Sequence, residues 1–227
     1  MELSLTERRR ATTRLDIALA AARLLSAAGS GGVTVEAIAA EAGVSLRTFY
    51  RYFPTKEDAV APLLSVGADD WQSAIAAALD DPADTRRGSI DGNRLRAAIA
   101  SAIRTVLSPD GPEEAQALER AGGLLRAALT DTALRSVWLR VNGESERRLL
   151  GVFRALLGPG DDELDARLFA AAATAAVRIG LEEWAESSGD RAGAGADPAE
   201  RAGRAFRALS AGLVAVPHHG SAADSAE

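Results

Sequence analysis

The chain has 227 residues, a formal net charge of −6 and a pI near 5.1. About a fifth of it is alanine, 47% is hydrophobic and only 4% is aromatic, so good helix formers dominate and strand formers are scarce. This composition excludes a β-sandwich or barrel and a chain disordered throughout, and it predicts an all-α fold. Cysteine is absent, which excludes disulfides, thiol nucleophiles and cysteine-based zinc sites. Residues 1–14 lack the apolar core of a signal peptide. The most apolar run, residues 168–177, is too short to span a bilayer. These features predict a cytoplasmic protein with no membrane partner.

Charge is unevenly distributed. Between Arg8 and Lys56, eight basic residues face three acidic ones, a net of +5. Residues 61–227 carry 18 basic and 25 acidic residues, a net of −7. A basic head on an acidic body predicts two modules with different partners.

In chain order, apolar periodicity predicts a first helix over residues 12–28, with Ile17, Ala21, Leu24, Leu25 and Ala28 on one face. The glycines at 29, 31 and 32 end it. Thr34 is suited to cap a short second helix, Gly43 to the left-handed turn after it, and Ser45 to cap a third helix from Leu46 to about Tyr52. Pro54 closes the third helix, and Thr55 with Asp58 opens a fourth that runs to about residue 79. Pro62 near its second turn should kink or break it. A polar loop is expected over 80–92, a fifth helix to about Val106, a breaker at 108–112, and a sixth helix to about residue 129. The seventh helix spans 132–157 and the eighth about 163–186, separated by Gly158-Pro159-Gly160. Asp197-Pro198-Ala199-Glu200 starts a ninth, and residues 217–227 form a disordered tail.

The segment 34–56 holds the most specific pattern. Two short helices joined by Gly43-Val44-Ser45 have the spacing of a helix-turn-helix, whose second helix enters the major groove. The third helix divides into an apolar face with Leu46, Phe49, Tyr50 and Phe53 and a polar one with Arg47, Thr48, Arg51 and Tyr52.

The run from Thr34 to Glu57, above all Thr48-Phe49-Tyr50-Arg51-Tyr52-Phe53-Pro54-Thr55-Lys56, resembles the DNA-binding region of the TetR family of bacterial transcriptional regulators. The resemblance covers roughly the first 60 residues; beyond them only the general helical architecture agrees. It implies that Arg47, Thr48 and Arg51, with Leu46 beside them, face base edges. It further implies that Tyr50, Tyr52 and Lys56 hold phosphates and that Thr34 and Ser45 touch phosphate as well as capping. Arg8, Arg9 and Arg10 form either an arm onto the DNA or a solvated tail. The domains expected are a helix-turn-helix module over 1–56, a ligand-binding and dimerisation module over 57–216, and the tail.

A single short recognition helix reads few base pairs, which predicts a homodimer on a pseudo-palindromic double-stranded operator. The apolar faces of the eighth and ninth helices are its expected interface: Leu168, Ala171, Ala172, Ala175 and Ile179 on one, Phe206, Leu209 and Leu213 on the other. The resemblance also implies a pocket among the fourth to eighth helices for a small, largely apolar ligand. Trp71, Leu124, Leu125, Trp138, Val141, Asn142, Ser145 and Leu149 are its expected lining. No cofactor or metal is expected.

An enzyme is disfavoured. The two histidines, His218 and His219, sit in the expected tail, and the paired carboxylates are adjacent in sequence, so on a helix they diverge. The reading reached is a DNA-binding regulator, most simply a repressor released by a ligand. The alternative is a helical interaction or scaffold protein without ligand response.

Overall fold

The computed structural model describes residues 4–65, 68–79, 92–157, 163–187 and 197–213. Residues 80–91 of the expected loop, the Gly158-Pro159-Gly160 break and the tail with its two histidines lie outside these; Gly92, expected in that loop, opens a helix instead. Among the described residues all regular structure is helical, and no helix is long and apolar enough to cross a membrane.

Helix α1 (Leu5–Ala28) begins well before its apolar stripe. Ser4 Oγ accepts from Glu7 N at 3.2 Å while Ser4 N donates to Glu7 Oε2 at 2.8 Å, a reciprocal capping box. Arg8, Arg9 and Arg10 therefore stand exposed on the first turns of α1, and the expected arm or solvated tail is corrected to helix. From Ile17 onward α1 buries a wide face: Ile17, Ala18, Ala20, Ala21, Ala22 and Leu25. Predominantly small side chains let it sit in the middle of its module, against α2 (Val35–Glu41), α4 (Ala61–Leu64) and α7 (Pro112–Thr130).

Thr34 Oγ1 caps α2 by accepting from Ala37 N at 3.2 Å. Gly43 follows with φ 65°, a conformation other residues adopt only with strain. Ser45 then caps α3 (Leu46–Tyr52) by accepting from Thr48 N at 3.1 Å.

The expected fourth helix is divided. A 3-10 turn over Asp58–Val60 leads into α4, which ends at Leu64 with Ser65 as its C-cap, and α5 (Ala68–Leu79) follows. Pro62 sits in the first turn of α4, where its missing N–H costs no helical bond. The remaining helices are α6 (Gly92–Leu107), α8 (Thr132–Leu157), α9 (Glu163–Ser187) and α10 (Pro198–Ser210).

Two apolar clusters result. One joins α1–α4 to Leu124 and Ala128 of α7 and to Leu134, Val137 and Val141 of α8. The other fills the bundle of α5–α10. Helices α7 and α8 thus contribute to both and tie the N-terminal helices to the bundle. Polar contacts reinforce the tie. Arg140 of α8 pairs with Asp58. Asp131 Oδ1 caps α8 by accepting from Ala133 N and Leu134 N at 3.0 and 3.2 Å, and its Oδ2 accepts from Ser30 N at 2.6 Å.

Partial desolvation pushes the Asp131 carboxyl up, but its hydrogen bonds from Ser30, Leu134 and Ala133 together outweigh this and hold it below its ordinary 3.8. A carboxyl lowered on folding stabilises the folded chain above its unfolded pKa, and the contribution is lost as pH falls through the folded value. Asp131→Ala should therefore cost roughly 1–2 kcal/mol near neutral pH, the scale of a lost cap. The difference from wild type should narrow on acidification below about pH 4, as denaturant titrations at several pH values would measure.

Candidate nucleic-acid interface and ligand cavity

Helix α3 is anchored by Phe49, which is fully buried, edge-to-face with Tyr50 (centroids 5.5 Å apart) and 6.1 Å from buried Phe53. Arg14 of α1 lies over the Phe53 ring at 5.7 Å. Burying Phe49 fixes the rotation of the helix and turns Leu46, Arg47, Tyr50 and Arg51 to solvent. The side chains that project are thus a leucine, two guanidiniums and a phenol. The Arg51 guanidinium stacks 5.2 Å from the centre of the half-buried Tyr52 ring, which limits its rotamers. Thr48 is half-buried, and its Oγ1 lies 3.0 Å from Ser45 Oγ. Thr34 and Ser45 stay exposed at the N-termini of α2 and α3, where the partial positive charge of a helix end favours anions.

Lys56 is turned inward. Its Nζ donates to the carbonyls of Ser30 and Val33, the latter at 2.6 Å, and lies 3.8 Å from a carboxylate oxygen of Glu57. It lies in the turn before the 3-10 segment and clamps the α1–α2 connection to the α3–α4 turn. Two of its three donors are engaged, so it holds the module together, in contrast to the free phosphate contact expected. Lys56→Met should lower stability by about 1.5–3 kcal/mol, the range for hydrogen bonds to a charged group, and thermal unfolding without DNA would register it. Arg23 is likewise paired with Glu41. The solvent-facing positive charge is left to Arg8, Arg9, Arg10 and Arg14 on α1 and to Arg47 and Arg51 on α3.

Residues 17–61 match the family model described as "Bacterial regulatory proteins, tetR family". Over these residues, about a fifth of its length, the chain is similar to that family. The match begins at the first buried turn of α1 and ends at the start of α4, so it covers the anchored α3 and the Lys56 clamp. A solved structure from Mesorhizobium loti, described as a TetR-family transcriptional regulator, is 20% identical. The alignment covers 89% of this chain and 97% of that one, with a TM-score of 0.52. The multidrug binding protein EbrR, complexed with imidazole, is 22% identical over 91% of this chain and 97% of that one, at a TM-score of 0.49. The regulator FadR from Bacillus subtilis, in complex with stearoyl-CoA, is 17% identical over 88% and 98%, at 0.48. The likeness to the Mesorhizobium protein extends the shared fold from the N-terminal domain over the helical bundle. No curated protein matches the chain.

Within the bundle, a cavity of about 80 Å³ lies between the end of α4 and helices α5, α6, α8 and α9. Trp71, Trp138, Val141, Asn142 and Ser145, all expected as pocket lining, stand in its wall together with Ile103, Thr174, Leu181 and others outside that expectation. Trp138 Nε1 donates to Glu182 Oε1 at 2.9 Å, and Glu182 pairs with Arg178 at 3.0 Å, which fixes the indole. An adjoining space of about 280 Å³ shares Trp138 and takes Leu125 into its wall.

Two expected lining residues are corrected. Leu124 neighbours Leu125 on α7 and so points about 100° away from it, into the cluster around α1. Leu149, one turn beyond Ser145, is fully buried in the bundle core with Phe153 and does not reach the cavity.

The expected interface residues also divide. Leu168 and Leu209 are exposed, and Ala171, Ala175 and Ile179 are half-buried. Exposed Leu164 extends the α9 stripe by one turn, which the sequence reading missed. Phe206 is fully buried and Ala172 nearly so, both within their own subunit; Leu213 packs partly on the same core. The reason is the close crossing of α9 and α10. A Cβ at Gly180 would come within 2.5 Å of Ala202 N, so the two helices meet almost backbone to backbone and Phe206 fills the space beside them.

Proposed function

We propose that this chain is a transcriptional regulator that binds a pseudo-palindromic DNA operator as a homodimer and is released from it by a small molecule bound in the helical bundle. The observation that carries the DNA reading is α3: an aromatic anchor beneath it and Arg47 and Arg51 projecting from it into solvent. Guanidiniums pair bidentately with guanine O6 and N7, and hydroxyls and phenols at the flanks position the helix on phosphates.

The dimer reading rests on Leu164, Leu168 and Leu209, large apolar side chains left exposed on adjacent helices, with half-buried alanines between the turns of α9. The ligand reading rests on the cavity. Ligand release requires tighter binding to the arrangement that cannot hold DNA, since equal affinity for both shifts nothing.

Footprinting of the purified protein on the DNA flanking its own gene tests the first reading. Two protected half-sites about one helical turn apart, or a multiple of it, are expected, with affinity falling steeply as salt rises. A helical scaffold protein would protect nothing. Light scattering at micromolar concentration should return twice the chain mass; a monomer that protects a single half-site would rule out the dimer.

A further inference from the structure

We propose that the bundle cavity selects an uncharged, ring-sized ligand bearing one hydroxyl or carbonyl group, and that Thr174 Oγ1 is the group that reads it. This inference rests on the proposal that the bundle binds a small molecule, and it names that molecule's chemical class.

Charge is excluded by the lining. Leu64, Ile103, Val106, Leu107, Val141, Val177 and Leu181 are aliphatic, Trp71 and Trp138 supply aromatic faces, and Ser65, Asn142, Ser145 and Thr174 are neutral. Glu182, which holds the Trp138 indole of the lining, is itself paired with Arg178. Neither is free to neutralise a ligand charge, and burying an unpaired ion costs several kcal/mol. The adjoining space carries Asp110 and Glu114 in its wall and so opposes an anion; a cation is opposed at the cavity itself, where no carboxylate lines the wall.

The polar inventory leaves the hydroxyls of Ser145 and Thr174 for a ligand, and of the two only that of Thr174 is fully buried without a partner. Asn142 Nδ2 donates to Trp138 O at 2.8 Å and Ser65 Oγ to Pro62 O at 3.0 Å, so both are engaged locally. Thr174 is 93% buried, and its Oγ1 has no hydrogen-bond partner. Hydroxyls inside helices ordinarily bond back to the carbonyl four residues earlier. Thr12, Thr13, Ser26 and Ser136 of this chain all do so. Thr174 does not, although it lies inside the long helix α9, and it is one of the residues that line the cavity. An unpaired buried hydroxyl is unfavourable by about 1–3 kcal/mol, and a ligand oxygen placed against it relieves that cost.

Size follows from the walls. The cavity is about 80 Å³, smaller than the roughly 150 Å³ that accommodates benzene. The adjoining space of about 280 Å³ is separated only by the shared side chains of Leu64, Val106, Leu107, Trp138 and Leu181. Rotamer changes of Leu64, Val106, Leu107 and Leu181, with the Trp138 indole held in place by Glu182, would open room for one or two rings.

The test is calorimetric titration of the full chain with toluene, benzyl alcohol, benzoate and benzylammonium, in wild type, Thr174→Val and Thr174→Ser. In wild type, benzyl alcohol should bind about tenfold more tightly than toluene, the value of one hydrogen bond. The two ions should bind at least tenfold more weakly than the alcohol. In Thr174→Val the advantage of the alcohol over toluene should shrink to within about twofold, while toluene binds as well or better; Thr174→Ser should preserve it. Thermal stability of Thr174→Val should equal or exceed that of wild type, because the unpaired hydroxyl is gone. Benzoate or benzylammonium matching the alcohol would overturn the neutral class. An undiminished alcohol preference in Thr174→Val would remove Thr174 from recognition, and so would loss of the preference in a folded Thr174→Ser. Absence of binding by any neutral ring at millimolar concentration would overturn the inference as a whole. The operator footprint, recorded without ligand, separates the readings: a footprint without ring binding sinks only this inference, and ring binding without a footprint sinks the DNA reading.

Discussion

Replacing Arg47 and Arg51 together by alanine is expected to reduce operator affinity to the level of non-specific DNA while leaving the fold intact. Each guanidinium that pairs with a base edge contributes roughly 1–3 kcal/mol of discrimination. The proposed dimer carries each change twice, so four contacts disappear. At about 1.4 kcal/mol each, that is a loss on the order of 10⁴, within the usual span between specific and non-specific binding. Arg47→Ala alone should relax preference at one position in each half-site and leave other positions unchanged. Both side chains are exposed, and only Arg51 has an aromatic neighbour, the Tyr52 ring. The cost to folding is therefore confined to that stack, about 0.5–1 kcal/mol at an exposed site. Competition binding at fixed salt, beside a thermal melt, measures both. A double variant that keeps its operator affinity within threefold would show that α3 is not the reading element.

The same segment shows which kinds of information a sequence exposes. The limits of α2 and α3 follow from local chemistry: Thr34 and Ser45 each accept a backbone N–H three residues on, and Gly43 takes the left-handed turn. The limits of α8 and α9 and the start of α10 were legible for the same reason, since breakers and the Asp197-Pro198 start act within a few residues; α10 itself stops at Ser210, short of Leu213, which was expected on that helix. The start of α1 was not, because its first three turns are solvated and carry no apolar period; only the Ser4–Glu7 box marks it.

Side-chain direction was harder still. Lys56 carries the charge of a phosphate clamp, yet its destination depends on carbonyls of Ser30 and Val33 brought near by the fold. The pocket shows the same division. The Trp138, Val141, Asn142, Ser145 stripe follows the helical period, and the cavity lies along it. Whether that stripe extends to Leu149, or α7 offers Leu124 to the same space, depends on where α1 and α9 sit, and no local pattern encodes it. Thr174 lay unnoticed inside an alanine-rich run because its distinction is a missing bond, a tertiary property.

Gly180→Ala is expected to destabilise the chain, against the usual sign of that substitution. In an open helix interior, alanine in place of glycine stabilises by about 0.8–1 kcal/mol. Gly151 of α8 has nothing within 4 Å of where a Cβ would sit, so Gly151→Ala should show that gain. At Gly180 the added Cβ would lie 2.5 Å from Ala202 N, 2.6 Å from its Cα and 2.7 Å from its Cβ. The first two are backbone atoms and cannot turn aside, so α10 has to move away from α9. Overpacking of a tight core costs about 1–3 kcal/mol, which exceeds the propensity gain. Gly180→Val adds two methyl groups at the same contact and should cost more than the alanine change. Displacing α10 also disturbs Phe206 in the core and shifts Leu209 relative to Leu168, so the proposed dimer should weaken along with the fold. Denaturant unfolding of the three variants, with light scattering over a dilution series, measures both effects. A Gly180→Ala variant as stable as wild type would show that α9 and α10 have room between them that this close crossing denies.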